Sequence, residues 1–157
     1  MEKKIKHLEM IQGVITRMSA NLFLLKGWAI TLIVALFTMV AKDFNAVYVI
    51  YSLCVFLIFW MLDGYFLSTE RCFRSLYDNV RKKNEDEIDF SMDYSEFKKG
   101  KNKWFNSMFS STLLIFYGIL LLSMTIMFFM VKIDHVKLDI KWTDTVDSTN
   151  VIEEQAN

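Results

Sequence analysis

The sequence predicts an all-α membrane protein with three transmembrane helices, and three observations support this fold class. Apolar residues make up 54% of the 157-residue chain, above the roughly 45–50% of an average soluble domain. They are concentrated in three blocks long enough to cross a bilayer, and the mean hydropathy is +0.27. Most basic residues lie on one predicted side of these blocks, although the formal net charge is +0.

Residues 1–21 are predicted to form an amphipathic N-terminal helix. Its apolar residues recur three and four positions apart, the spacing of one helical stripe, at Leu8, Ile11, Ile15, Met18 and Leu22. The segment is too polar to span a bilayer. We therefore expect it to lie in the membrane interface or to pack against another helix.

Residues 22–67 are predicted to form a transmembrane hairpin. The first span, 22–41, is about 30 Å long as a helix, which matches the hydrocarbon thickness of a bilayer. A polar turn at 42–45 separates it from the second span, 46–67. Each span carries one charged residue, Lys26 in the first and Asp63 in the second.

Residues 68–104 are predicted to form a cytoplasmic helix and a charged loop. Phe73, Leu76, Tyr77 and Val80 recur at helical spacing, so we expect the second helix to continue to about Lys83. Four exposed apolar residues would form an association patch. This face should therefore be covered by the N-terminal helix or by a neighbouring subunit. An acidic stretch at 84–96 and a basic stretch at 98–103 follow as a loop.

Residues 105–131 are predicted to form the third transmembrane helix, because they contain no charge. The extracytoplasmic tail, 132–157, has a different pattern. Apolar and charged residues alternate over 136–142, which is the period of a half-buried strand and predicts a short β-strand.

The distribution of basic residues predicts the orientation. Fourteen of the 18 lie before residue 27 or in the loop between the second and third spans, and such residues favour the cytoplasmic side. We therefore expect a protein of the bacterial cytoplasmic (inner) membrane with its N-terminus inside and its C-terminus outside. Its first partner is the lipid bilayer itself.

The pair Lys26 and Asp63 is the sharpest polar feature of the predicted spans. Each residue is expected at a similar depth, roughly 6 Å inside the cytoplasmic boundary. A charge inside a span is costly, and pairing offsets much of that cost. The alternative is that Lys26 extends to the headgroups while Asp63 caps a helical region beside Gly64.

Small residues in the third span define a second candidate feature. They recur at i, i+4, i+11 and i+18 on one predicted helix face, at Ser107, Ser111, Gly118 and Thr125. Such a face allows close packing of helix backbones. The alternative is that it lines an oligomeric pore.

The N-terminal run from Leu8 to Gln12, continued by Arg17, Asn21, Lys26 and Trp28, resembles small bacterial membrane proteins encoded beside nucleotide-signalling or TIR-type sensors in antiphage operons. In such operons the membrane protein acts as the killing effector. The resemblance implies that Gln12, Arg17, Asn21, Lys26 and Trp28 form a structural unit at the cytoplasmic interface. It implies no catalytic chemistry.

These features predict a membrane effector or channel-like subunit that is triggered from the cytoplasmic side. A homo-oligomer is expected, because the N-terminal stripe, the small-residue face and the edge of the tail strand each need a partner. The alternative function is a membrane anchor or scaffold for a soluble cytoplasmic partner, such as a sensor. No motif for an enzyme, a metal site or a cofactor is present, and the balanced charge gives no basis for nucleic-acid binding.

Overall fold

The computed structural model describes residues 2–42 and 46–156, with the backbone alone described for residues 46, 134, 135 and 138–156. Within these residues the regular structure is helical. The element order is α1 (Glu2–Lys42), α2 (Ala46–Val80), three one-turn 3-10 helices (Glu85–Glu87, Ser95–Phe97 and Gly100–Asn102), α3 (Trp104–Met108) and α4 (Ser111–Ala156). The predicted turn at 42–45 falls largely outside the described residues.

Three of these helices contain segments long and apolar enough to cross a membrane, within Glu2–Lys42, Val47–Val80 and Ser111–Ile133. The described chain thus has the helical composition of a membrane protein, as predicted. The long helices α1 and α2 make the most extensive contact in the structure.

No helix break separates the predicted amphipathic segment from the first span, because α1 is one continuous helix over 41 residues. The chain contains no proline, and nothing lies close to Gly13 or Gly27, so no residue forces a break. The change from amphipathic to apolar sequence alters only which neighbours the side chains meet. It leaves the backbone hydrogen bonds of the helix unaffected.

The stripe on the first half of α1 packs against the second half of α2 within the same chain. Ile11 and Ile15 form one buried cluster with Phe73, Leu76 and Val80. This confirms the prediction that the N-terminal helix covers this face. The stripe is therefore occupied within the chain and is not free to pair with a second copy.

The second helix continues beyond its span, as predicted, although it ends at Val80 rather than near Lys83. The loop that follows folds back over the cluster. Its residues Ile88, Met92, Tyr94 and Phe97 pack against the buried apolar residues. One unit, called here the polar layer, thus consists of the first half of α1, the second half of α2 and residues 81–103.

The third span does not begin at residue 105, because the helix is interrupted between α3 and α4. In a continuous helix the carbonyl of Met108 would accept the backbone N–H of residue 112. Here it accepts the indole N–H of Trp60 at 3.1 Å. The span therefore starts at Ser111, just after Ser110, a residue type that favours helix starts.

The predicted strand at 136–142 is also wrong, since these residues continue α4. A lone strand would have no partner for its backbone groups. A helix that is already formed adds one hydrogen bond for each further residue, without a new nucleation cost. The alternating pattern is too short to overcome that advantage. The tail thus has no strand edge that could bind another chain.

Candidate functional site

The structure brings Lys26 of α1 and Asp63 of α2 together. The Nζ atom of Lys26 donates a hydrogen bond to Oδ2 of Asp63 at 2.8 Å. The Asp63 side chain is fully buried, whereas the Lys26 side chain is 23% exposed. The antiparallel packing of α1 on α2 places the two residues at the same level of the hairpin, and the flexible lysine side chain spans the remaining gap.

A third helix joins this pair through Tyr117 of α4. Its hydroxyl donates to the same Asp63 oxygen at 3.0 Å. The ammonium of Lys26 also lies 5.6 Å from the ring centroid of Phe116, within the range of a cation–π interaction. One carboxylate oxygen therefore links all three spans. We call Lys26, Asp63 and Tyr117 the polar triad.

The triad lies at the edge of the apolar cluster that joins the three spans. That cluster includes Ile33 and Phe37 of α1, Phe56 of α2, and Leu113 and Tyr117 of α4. The ring of Tyr117 packs edge-on against Phe56 and stacks near Trp60. Aromatic packing therefore holds the Tyr117 hydroxyl at a fixed position toward Asp63.

The triad can fix the relative positions of the three spans and compensate the charge of Asp63. The second carboxylate oxygen of Asp63 has unusual surroundings. Oδ1 of Asp63 has no hydrogen-bond partner among the described residues. A buried carboxylate that lost Lys26 would therefore depend on Tyr117 alone. Removing one member of a buried pair is more costly than removing both. The triad thus makes the packing of the three spans depend on each of its members.

Beside the triad, α3 packs closely against α2. A Cβ atom on Gly64 would collide with the Met108 side chain, and the Met108 Cα would lie only 3.3 Å away. The indole of Trp104 donates to the carbonyl of Met61 at 3.1 Å, as the indole of Trp60 does to Met108. Two tryptophan hydrogen bonds thus join α3 to α2 close to Asp63.

The structure does not place the predicted small-residue face on one surface. Ser107 belongs to α3 and is buried, where its hydroxyl donates to the carbonyl of Lys101 at 3.2 Å. Ser111, Gly118 and Thr125 lie on α4 and are exposed. The inward side of α4 instead carries Leu113, Tyr117 and Met124, which are buried. Of these four residues, Ser107 alone is buried within the chain.

The residues predicted at the cytoplasmic interface divide into two groups. Phe73, Leu76 and Val80 are buried, and Tyr77 packs against their cluster. The residues that the resemblance indicated lie outside this cluster. Gln12, Arg17 and Trp28 are exposed, and Asn21 and Lys26 are half-buried. A groove of about 230 Å³ is lined by Gln12, Ile15, Arg74, Tyr77 and Asp78.

Sequence reasoning missed two residues that hold the elements together. Tyr117 could have been suspected, because a tyrosine hydroxyl inside a span needs a hydrogen-bond partner. His7 is 1% exposed, and its Nε2 lies 2.9 Å from the carbonyl of Ser91. Ser91 lies 84 positions after His7 in the sequence. No local sequence pattern indicates a contact over that distance.

The described residues contain no group of three histidine, cysteine, aspartate or glutamate side chains that could hold a metal ion. Comparison with known proteins adds no relative, since no family model, curated protein or solved structure matches the chain.

Proposed function

We propose that this protein is an oligomeric membrane effector or channel-like subunit, triggered from the cytoplasmic side and acting in antiphage defence. The observation that carries the proposal is the unequal packing of α4. One side of α4 is tied to α1 and α2 by the polar triad and the apolar cluster. The opposite side exposes large apolar residues around Gly118, among them Ile115, Ile119 and Leu122.

A single copy offers no aqueous path between its spans in the part of the chain that the structure describes. Buried side chains, including Leu113 and Tyr117, pack between the three helices, and the groove that remains beside Phe37 is lined mainly by apolar residues. A path for ions would therefore run between copies. The exposed side of α4, with Ser111, Gly118 and Thr125, is the surface through which copies would meet. Such copies share one orientation, so rotational symmetry about the membrane normal follows.

The trigger is proposed to act through the polar layer. This layer is directly continuous with the spans, because α1 and α2 run through both without a break. A partner that shifts the first half of α1 relative to α2 would move Lys26 relative to Asp63. The positive-inside distribution supports a cytoplasmic location for the layer. The resemblance of the N-terminal segment supports the defence role.

The test is expression of the chain in bacteria, alone and with its genomic neighbours, while the membrane potential is followed with a fluorescent dye. Depolarisation is expected, and Gly118→Leu should abolish it. A Cβ atom on Gly118 meets nothing within 4 Å, so this change leaves the monomer intact while blocking close helix approach. Gly13→Leu is the matched control, because Gly13 is equally open but lies in the polar layer.

The second candidate function is a membrane anchor or scaffold for a soluble partner. The observation in its favour is that the polar layer is folded around its own apolar cluster, with the groove beside Gln12 on its surface. Stable co-purification of a neighbour without depolarisation would support the anchor. Depolarisation lost in Gly118→Leu but retained in Gly13→Leu supports the effector, whereas a stable monomer in native mass spectrometry contradicts it.

A further inference from the structure

A basic turn at the membrane end of the polar layer is held in one conformation by hydrogen bonds. It covers residues 98–103, which join the loop to α3. Gly100 takes a positive φ of 55°, a conformation that glycine adopts without steric cost. The side-chain amide of Asn102 donates to the carbonyl of Phe97 and to the Ser75 hydroxyl, both at 3.0 Å. The hydroxyl of Ser68 donates to the carbonyl of Asn102.

The backbone carbonyls of this turn are used internally. The Lys101 carbonyl accepts from Arg71 at 3.1 Å and from Ser107 at 3.2 Å. The Gly100 carbonyl accepts from the Asn106 amide at 2.8 Å. The turn is therefore joined to α2 on one side and to α3 on the other, and its lysine side chains take no part in these hydrogen bonds.

Those free side chains are four lysines within six residues. Lys98, Lys99, Lys101 and Lys103 are all exposed. None of them forms an ion pair with an acidic side chain in the described part of the chain, whereas Lys6, Lys26, Arg74 and Arg81 each do. A fixed turn thus presents four uncompensated positive charges on one short segment.

The position of α3 gives the depth of this turn. Trp104, the residue after Lys103, donates to the carbonyl of Met61, which lies in the apolar part of α2. Phe105 is 63% exposed and Phe109 is 46% exposed, beside the start of the third span. Tryptophan beside a span favours the boundary between hydrocarbon and headgroups, and Trp104 is 37% exposed. We therefore expect the lysines to lie at the level of the lipid phosphates.

We propose that this turn is a binding surface for the headgroups of anionic phospholipids, with the four lysines contacting the phosphates and Phe105 inserted among the acyl chains. Charge complementarity supports this occupant, because none of the four lysines forms an ion pair with a described acidic side chain and an anionic bilayer supplies negative charge at the expected level. A basic cluster directly beside a span is the pattern of anionic-lipid recognition. The proposal is independent of the effector function.

The experiment measures which lipids remain bound to the full-length protein. The protein is reconstituted in nanodiscs of equal phosphatidylglycerol and phosphatidylcholine, and native mass spectrometry gives the ratio of the two lipids retained. We expect enrichment of phosphatidylglycerol and a loss of about fivefold for each lysine replaced, from roughly 1 kcal/mol per basic residue near an anionic surface. Enrichment should disappear when Lys98, Lys99, Lys101 and Lys103 are all changed to Gln.

The matched control changes Lys3, Lys6, Arg81 and Lys82 to Gln, which removes the same charge from the far end of the polar layer. It should retain the enrichment. Replacing four lysines also weakens the orientation signal, so Lys99→Gln and Lys101→Gln are measured singly. Equal loss in the control, or no enrichment in the unaltered protein, overturns the proposal. Displacement of phosphatidylglycerol by inorganic phosphate would assign the turn to a soluble anion and would also overturn it.

Discussion

The two ends of the helical hairpin are held together in different ways. At the end beside residues 81–103, α1 and α2 share a buried cluster that includes Ile11 and Phe73. The polar triad connects α4 to both helices. At the other end, an apolar groove of about 190 Å³ lies between the three helices, lined by residues such as Phe37, Leu53 and Met124. The polar end is cross-linked by specific hydrogen bonds, whereas the groove at the opposite end is lined mainly by apolar side chains.

This difference follows from the two solvents. Burial of apolar side chains away from water lowers the free energy. The apolar side chains of the polar layer therefore form a closed core. Apolar side chains in lipid gain little by moving from lipid to protein. In the spans, the specific hydrogen bonds are concentrated at the polar triad and at α3, and close apolar packing positions the remainder.

The largest effect is expected at the polar triad. Lys26→Met removes the ammonium and leaves the buried Asp63 carboxylate without its charge partner. The loss should be about 3 kcal/mol in the free energy of unfolding, at the lower end for a buried pair because the Lys26 side chain is partly exposed. Unfolding by SDS titration in mild detergent measures it. Adding Asp63→Asn should restore part of the loss, and additive losses would show that the two residues are not coupled.

Truncation of the buried cluster should be the next largest effect. Ile11 is fully buried in the polar layer, and Ile11→Ala should cost about 2 to 3 kcal/mol. The matched control is Ile115→Ala, because Ile115 is 63% exposed on α4 in the single chain. Its loss should be below about 1 kcal/mol. Equal losses in the same SDS titration would contradict the division between the two ends.

Close packing of α3 on α2 gives a smaller effect. Gly64→Ala places a Cβ atom against Met108 and should cost about 1 to 2 kcal/mol by overpacking. Gly118→Ala is the control, since its Cβ would meet nothing within 4 Å, and it should be neutral or slightly stabilising in the monomer. The difference in thermal unfolding temperature between the two variants provides the measurement. A neutral Gly64→Ala would show that Met108 can move aside freely.

The smallest effect concerns pH and the loop of the polar layer. The backbone N–H of Ser91 lowers the pKa of Asp89, and that of Ser95 lowers the pKa of Asp93, both below the ordinary 3.8. A lowered folded-state pKa stabilises the loop above the ordinary value, and this contribution is lost as the pH falls through the lowered pKa. Hydrogen exchange at residues 91 and 95 should therefore accelerate below about pH 4 relative to the rest of the layer. Unchanged relative protection would contradict these bonds.

Sequence patterns predicted the individual helices better than their boundaries. Hydropathy identified the three apolar segments, and the spacing of Phe73, Leu76 and Val80 identified the extension of α2. The interruption before Ser111 was missed, because it depends on an indole of α2 that competes for a carbonyl of α3. The strand predicted at 136–142 was wrong, because a pattern of seven residues carries no information about the helix that precedes it.

Three apolar segments of bilayer length, and a similar depth for Lys26 and Asp63, can be predicted from the sequence. These properties follow from composition and from the helical rise per residue. The tertiary structure alone decided that Tyr117 completes the triad, that the N-terminal stripe is occupied by α2, and that the small residues of α4 face outward. Each of these depends on how one helix is rotated against another. That rotation is set by the summed contacts of distant residues, and no local pattern records it.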